Sequence, residues 1–176
     1  MLRGRRIIIR RKKLSDAWDD YKWRKDPELC RLDAAVPTCI SFPEFYENYL
    51  VEMQREHPWQ RQFAIDTVEG KHIGNVMYYN LDPERREVEI GIMIGDKNYW
   101  GKEYGKEAVL LFVDFLFKEL GVERIKLRTL TWNKRAQRCF EKCGFVPKGK
   151  VLQGEHEFVI MELTRGDHER RKELSI

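Results

Sequence analysis

The sequence predicts an α+β fold, a mixed central sheet flanked by helices, on three observations. Residues 61–94 hold three stretches of alternating apolar and polar residues joined by short loops, the pattern of an antiparallel meander. Residues 88–163 then read as strand–helix–strand–helix–strand. No repeat, low-complexity segment or Pro/Gly/Ser linker divides the chain, so residues 1–176 are expected to form one domain.

The 176 residues are 42% hydrophobic, with nine Phe, seven Tyr and five Trp, which is enough for a real core and argues against disorder. The longest apolar run, Ala108–Val113, is far short of a membrane span, and Ile7-Ile8-Ile9 is too short for a signal-peptide core. A cytoplasmic location is the expectation. Four cysteines suit it: Cys139 and Cys143 fall on one helical face, while Cys30 and Cys39 have no close His or Cys partner. They read as free thiols, with no metal site.

In chain order, Ile7–Arg10 reads as a short strand, and Leu14-Ser15-Asp16 opens a helix to about Arg24 with Ala17, Trp18 and Tyr21 on one side. A second helix covers Phe42–Arg55, entered through Pro43. The meander follows: Arg61–Thr67, a turn at Glu69-Gly70, His72–Tyr79, a loop at Asp82-Pro83, then Val88–Ile94. Gly105–Leu120 is a buried helix stopped by Gly121. Arg124–Leu130 is a strand, and Asn133 caps a helix whose Ala136, Cys139, Phe140 and Cys143 share a face. Val151–Leu152 and Phe158–Leu163 form a last hairpin, and Arg165–Ile176 is a charged tail, frayed or helical.

The net charge is +4, but Met1–Lys13 carries seven Arg and Lys residues and no acid. It can be read as a nucleic-acid arm or as a basic edge strand with solvated flanks, and the second reading is preferred.

The chemistry concentrates in two segments. In the first, the strand Val88–Ile94 runs through Gly95 to Trp100-Gly101-Lys102-Glu103-Tyr104-Gly105-Lys106-Glu107-Ala108, a glycine-containing turn that opens a long helix. Helix-start N–H groups are unsatisfied and carry the positive end of the dipole, so they form an anion site. Lys102 and Lys106 add charge, and Gly105 permits close approach. The second segment runs from Asn133 through Ala136, Phe140, Glu141 and Lys142 to Gly144-Phe145.

This second segment resembles the N-x-x-A-x-x-x-Y-E-K-x-G-F signature of the GNAT acetyltransferases, and the first resembles their Q/R-x-x-G-x-G/A loop. The wording of the first is similar to the RimJ/RimL-like branch, and the likeness spans roughly Phe63 to Leu163. It implies the GNAT fold, acetyl-CoA as co-substrate, no metal, and transfer of an acetyl group to a primary amine by direct attack in a ternary complex. Residue by residue, it implies a strand that splays at a bulge, so that backbone groups near Ile92, Met93 and Ile94 pair with the pantetheine arm. Amides of Lys102, Glu103, Tyr104, Gly105 and Lys106 hold the pyrophosphate, and Arg138 joins the cofactor-binding set. Asn133 contacts the pantetheine or the reacting end, or serves as a helix cap alone. Glu89 matches a carboxylate base, with a solvated strand carboxylate as its bland reading, and the amide near Met93 is the oxyanion donor. Two residues depart from the pattern. Glu103 stands where the loop has its first glycine, and Phe140, which cannot donate a proton, replaces the tyrosine; Cys139 is expected to point elsewhere.

The acceptor stays open among a small molecule, a polyamine and a protein N-terminus, with Asp33, Glu44, Glu47, Glu155 and Glu157 as candidate groove acids. A CoA-binding protein that has lost catalysis and a nucleic-acid binder using the basic arm are the alternatives. No membrane partner is expected, and a homodimer is left open.

Overall fold

The structure, a computed structural model, describes residues 1–174; Ser175 and Ile176, the end of the charged tail, lie outside the described residues. Eight strands form one sheet: β1 (Leu2–Arg3), β2 (Ile7–Arg11), β3 (Arg61–Thr67), β4 (His72–Asp82), β5 (Glu87–Ile94), β6 (Arg124–Leu130), β7 (Val146–Gln153) and β8 (His156–Thr164). Their spatial order is β1-β2-β3-β4-β5-β6-β8-β7, and β5–β6 is the parallel pair in an otherwise antiparallel sheet. The helices are α1 (Ala17–Lys25), α2 (Pro27–Leu32), α3 (Phe42–Gln54), α4 (Tyr104–Glu119), α5 (Lys134–Lys142) and α6 (Arg165–Glu173).

The core lies where α4 covers the sheet. Its Ala108, Val109, Phe112, Val113 and Leu116 recur at helical spacing and meet Ile65, Ile73, Val76, Val88 and Ile90 from the meander. Burying each large side chain contributes about 1.5–3 kcal/mol, so this contact fixes where α4 begins and ends. Gly121, at φ +64°, supplies the left-handed residue that stops the helix.

The meander, the two motif-bearing helices and the last hairpin lie within a few residues of their expected spans. Three features differ. The strand at Ile7 is not an edge, because Leu2–Arg3 pairs outside it. The short helix α2 was not expected, although Asp26 caps it through the Glu28 and Leu29 amides and Pro27 sits at its first position. Trp18 faces outward, with its ring edge-on to Phe42 of α3.

Three of the seven basic side chains of the N-terminal segment are paired with carboxylates within the fold. Arg6 binds Glu107 and the Lys102 carbonyl, Arg10 bridges Asp16 and Asp66, and Lys12 pairs with Asp20 at 2.6 Å. These contacts spend those three charges on packing β2 against α1 and α4. Among the described residues, no helix is long and apolar enough to cross a membrane, and no group of His, Cys, Asp or Glu is placed to hold a metal ion.

Candidate active site

The site begins where β5 and β6 part. Their ladder runs Glu87↔Arg124, Val88↔Ile125, Glu89↔Lys126 and stops, while β5 continues against β4 to Ile94 and β6 continues against β8 to Leu130. The expected splay is therefore present, but without a bulge in Glu89–Ile94; the irregularity of β4–β5 lies between Tyr79 and Asp82.

Strand alternation decides which backbone groups face the gap. The Gly95 amide donates to Ile73 on β4, and the Arg86 carbonyl accepts from Glu123 and Arg124 at the start of β6. Odd-numbered residues of β5 thus pair with β4 and even-numbered ones face β6. Met93, opposite Asn75, turns its own N–H toward β4, so the amides near it that can reach the gap are those of its neighbours. The amides of Ile92 and Ile94 face the open edge, and the Ile94 carbonyl is taken by the Trp100 indole at 2.6 Å.

A cavity of about 500 Å³ fills the gap. Ile92, Met93 and Ile94 form one wall, the first turn of α4 a second, and α5 a third. The α4 turn is shaped by two left-handed residues, Gly101 (φ +70°) and Glu103 (φ +65°, ψ 9°). A side chain in that conformation is strained, so the position normally written as glycine needs glycine's freedom here too. The Glu103 carboxylate is held 3.2 Å from both Lys142 and Lys106, and those two ammonium groups keep its carboxyl below the usual carboxylate range. It ties α4 to α5 rather than standing as an isolated anion.

Other expected residues divide between this wall and its outside. Gly105, Lys106, Asn133 and Arg138 line the cavity. Lys102 and Tyr104 do not: Lys102 is exposed with its carbonyl bound to Arg6, and the Tyr104 ring lies under the Arg6 guanidinium, 4.6 Å away, against Tyr99. Asn133 lines the cavity and also caps α5, accepting from the Ala136 amide at 3.2 Å. Phe140 and Cys139 both line the cavity, which corrects the expectation that Cys139 points elsewhere. The helix face is wide enough to carry both. Behind it, Cys143 is fully buried, and its hydrogen bond with Cys139, then burial, push its thiol up.

A second cavity of about 440 Å³ lies on the other side of Ile92–Met93. Phe45, Asn48, Tyr49 and Glu52 form one stripe of α3 along it, at i, i+3, i+4 and i+7. Asp20 and Arg24 of α1, Asp33 after α2, Gln62 of β3 and Asn75 of β4 complete its polar lining. Among the expected groove acids only Asp33 is there; Glu44, Glu47, Glu155 and Glu157 line neither cavity. Asp20 and Glu52 were missed, because no short motif marks residues gathered from separate elements.

Glu89 also lines neither cavity. It sits at the last rung of the β5–β6 ladder, where Arg128 binds it at 3.1 Å and Asn80 donates to it at 3.3 Å. It lies on β5 three residues before Ile92, outside the lining of both cavities.

A buried ion cluster underlies the second cavity. Asp20 accepts from Lys12 and, at 2.7 Å, from Asn75, whose own oxygen takes a second Lys12 proton at 2.6 Å. His72 lies between Asp20 and Asp66, at 3.4 and 3.3 Å. Burial alone would raise the Asp20 carboxyl, but His72, Lys12 and Asn75 together hold it low.

Comparison with known proteins agrees with this geometry. The family model described as "Acetyltransferase (GNAT) domain" matches residues 6–146. The putative ribosomal N-acetyltransferase YdaF of Bacillus subtilis is 28% identical over 127 residues, covering 65% of this chain and 69% of the relative. The aminoglycoside N(6')-acetyltransferase type 1 of Klebsiella pneumoniae is 31% identical over 170 residues, covering 88% and 81%. The fold matches that of the Vibrio cholerae spermidine N-acetyltransferase solved with CoA and spermine, at a TM-score of 0.82 and 20% identity over 94% of this chain and 99% of that one.

Proposed function

Because the chain belongs to the acetyltransferase (GNAT) family, we propose that it moves an acetyl group from acetyl-CoA to a primary amine of a cationic acceptor, with both substrates bound at once. Its relatives are N-acetyltransferases, one acting on aminoglycosides by its name, and the structural neighbour carries spermine. The observation that carries the proposal is the meeting of two cavities of opposite charge at Ile92–Met93.

The first cavity suits acetyl-CoA. Lys106, Arg135, Arg138 and Lys142 line it against the carboxylates of Asp33 and Glu103, an excess of cations for a polyanionic ligand. The free amides opening α4 take the pyrophosphate, and the open edge of β5 takes the amide-bearing pantetheine arm as a strand takes a neighbour. Arg135 stacks on Trp100 at 3.9 Å at the same wall. When bound, the thioester supplies an activated acyl carbon. The Ile92 N–H is the donor best placed for the oxygen that gathers charge as the amine attacks. Phe140 offers no proton to the departing thiolate, so water or another donor at that wall serves.

The second cavity suits the acceptor. Asp33 and Glu52 face Arg24 across it, above an Asp20 already bound to Lys12, so the exposed carboxylates outnumber the one exposed cation and draw a cationic amine, while Phe45 and Tyr49 pack its methylenes. Holding the amine beside the thioester supplies much of the rate. The test is thiol release from acetyl-CoA with monoamines, polyamines, aminoglycosides and peptide N-termini. Saturable release with an amine that carries a further cation is expected. CoA binding with no thiol released for any amine would instead favour a protein that binds CoA without turnover.

A further inference from the structure

The deprotonation step needs a carboxylate at the junction, and we propose that Asp33 is the catalytic base that takes the proton from the acceptor amine. This rests on the reading that the two cavities hold acetyl-CoA and an amine. Asp33, Ile92 and Met93 line both cavities, and Asp33 alone of the three is ionisable. Each other carboxylate nearby is committed or remote. Asp20 is buried under three donors, Glu52 pairs with His57 at 2.8 Å, and Glu89 is held by Arg128 outside both cavities. Glu103 binds two lysines at the α4 turn.

Asp33 is placed firmly, as a base must be. It is the last residue of α2's helical end, its amide bonded to the Leu29 and Cys30 carbonyls. The chain then turns through Ala34 at φ +51°, and the Ala35 amide returns to the Cys30 carbonyl at 2.9 Å. That closure fixes the Cα–Cβ direction of Asp33, and a non-glycine residue in the left-handed region is retained there despite its strain. The side chain is 64% exposed, at the edge shared by the walls of the two cavities. Crowding by those walls pushes its carboxyl up, and Arg24, 3.7 Å away on α1, pulls the other way. Cys30 lies on its own helix, Asp20 and Glu52 face it across the acceptor cavity, and Arg135 and Arg138 across the other.

The protons balance as follows. The ammonium gives one proton to the Asp33 carboxylate, which passes it to water. The neutral nitrogen forms the C–N bond to the acyl carbon, and the C–S bond breaks. The second nitrogen proton goes through water to the thiolate, leaving the amide, CoA thiol and one free proton.

The experiment compares the wild type with Asp33→Asn and Asp33→Glu on the amine that the wild type turns over best. Asp33→Asn should lower kcat roughly a hundredfold or more, with CoA binding by calorimetry retained or tightened as a carboxylate leaves the cation-lined cavity and the circular dichroism spectrum unchanged. Wild-type kcat/KM should fall toward acid as Asp33 protonates, and this limb should vanish in the Asn variant. Asp33→Glu should recover part of kcat and restore the limb. An Asn variant within threefold of the wild type in kcat, or one that raises only the KM of the amine, would overturn the assignment. A wild type that turns over no amine would instead defeat the reading of the two cavities, so the two failures are separable.

Discussion

The two cavities share one wall and are built on opposite principles. The cavity between β5 and α5 is lined by four cations and two carboxylates, and its most specific features are backbone groups: an open strand edge and the first turn of α4. The cavity under α3 is lined by three carboxylates and one cation, and its features are side chains brought from α1, α2, α3 and β4. The difference predicts unequal tolerance. Changes of side chain around the backbone-built cavity should shift binding modestly. Changes in the side-chain-built one should reach stability as well, because its floor is a buried ion cluster.

The largest effect follows at that floor. Lys12 and Asp20 are each 8% exposed at the side chain, and removing one partner strands the other's charge. Lys12→Met should therefore destabilise by about 3–5 kcal/mol, read as a fall in Tm of roughly 10 °C or more. A change of a degree or two would mean that the cluster contributes little and that the contrast between the cavities is wrong. The same cluster sets an acid limit. Burial would raise the Asp16 and Asp20 carboxyls, but Arg10 on the one, and His72 with Lys12 on the other, hold both below the ordinary value. Their folded values being depressed, the stability they contribute is complete above about pH 4 and is lost as pH falls through the lower folded values. Tm measured against pH should show that loss, and Lys12→Met should weaken it.

A smaller effect is expected at the α5 wall of the first cavity. Phe140 is 8% exposed and lines the donor cavity beside Cys139. If expulsion of thiolate limits turnover, Phe140→Tyr should raise kcat up to about tenfold by supplying a proton. A folded Tyr variant that is no faster would place the limiting step at deprotonation or product release.

The smallest effect belongs to the backbone-built cavity. Glu103 holds a left-handed conformation that costs a side chain roughly 1–2 kcal/mol, and it occupies two lysines that would otherwise face phosphate. Glu103→Gly should tighten CoA binding several-fold at low salt, with the gain shrinking as salt screens the charge. Calorimetric titration at two ionic strengths decides it; unchanged or weaker binding would show that Glu103 serves the loop by rigidifying it.

What could be read from the sequence follows the same division. The strand, turn and helix from Val88 to Ala108 and the Asn133–Phe145 helix are contiguous, so local pattern revealed the cation-lined wall, the α5 cap and the odd glutamate at position 103. The acceptor cavity joins Asp20, Asp33, Glu52 and Asn75, which only the sheet order brings together. Glu89 was placed correctly on its strand, but its ion pair with Arg128 depends on where β6 stops following β5. The direction of the Met93 amide turns on a one-residue phase of the ladder, which alternation in the sequence leaves undetermined. α2 went unseen because six residues show too little periodicity, although Asp26-Pro27 marks its start.

The central claim is that both cavities fill before the acetyl group moves. Initial rates measured over a grid of acetyl-CoA and amine concentrations test it most directly. Double-reciprocal lines that intersect, with CoA competing against acetyl-CoA, are the predicted result. Parallel lines, the signature of an acetylated protein formed before the amine binds, would contradict it.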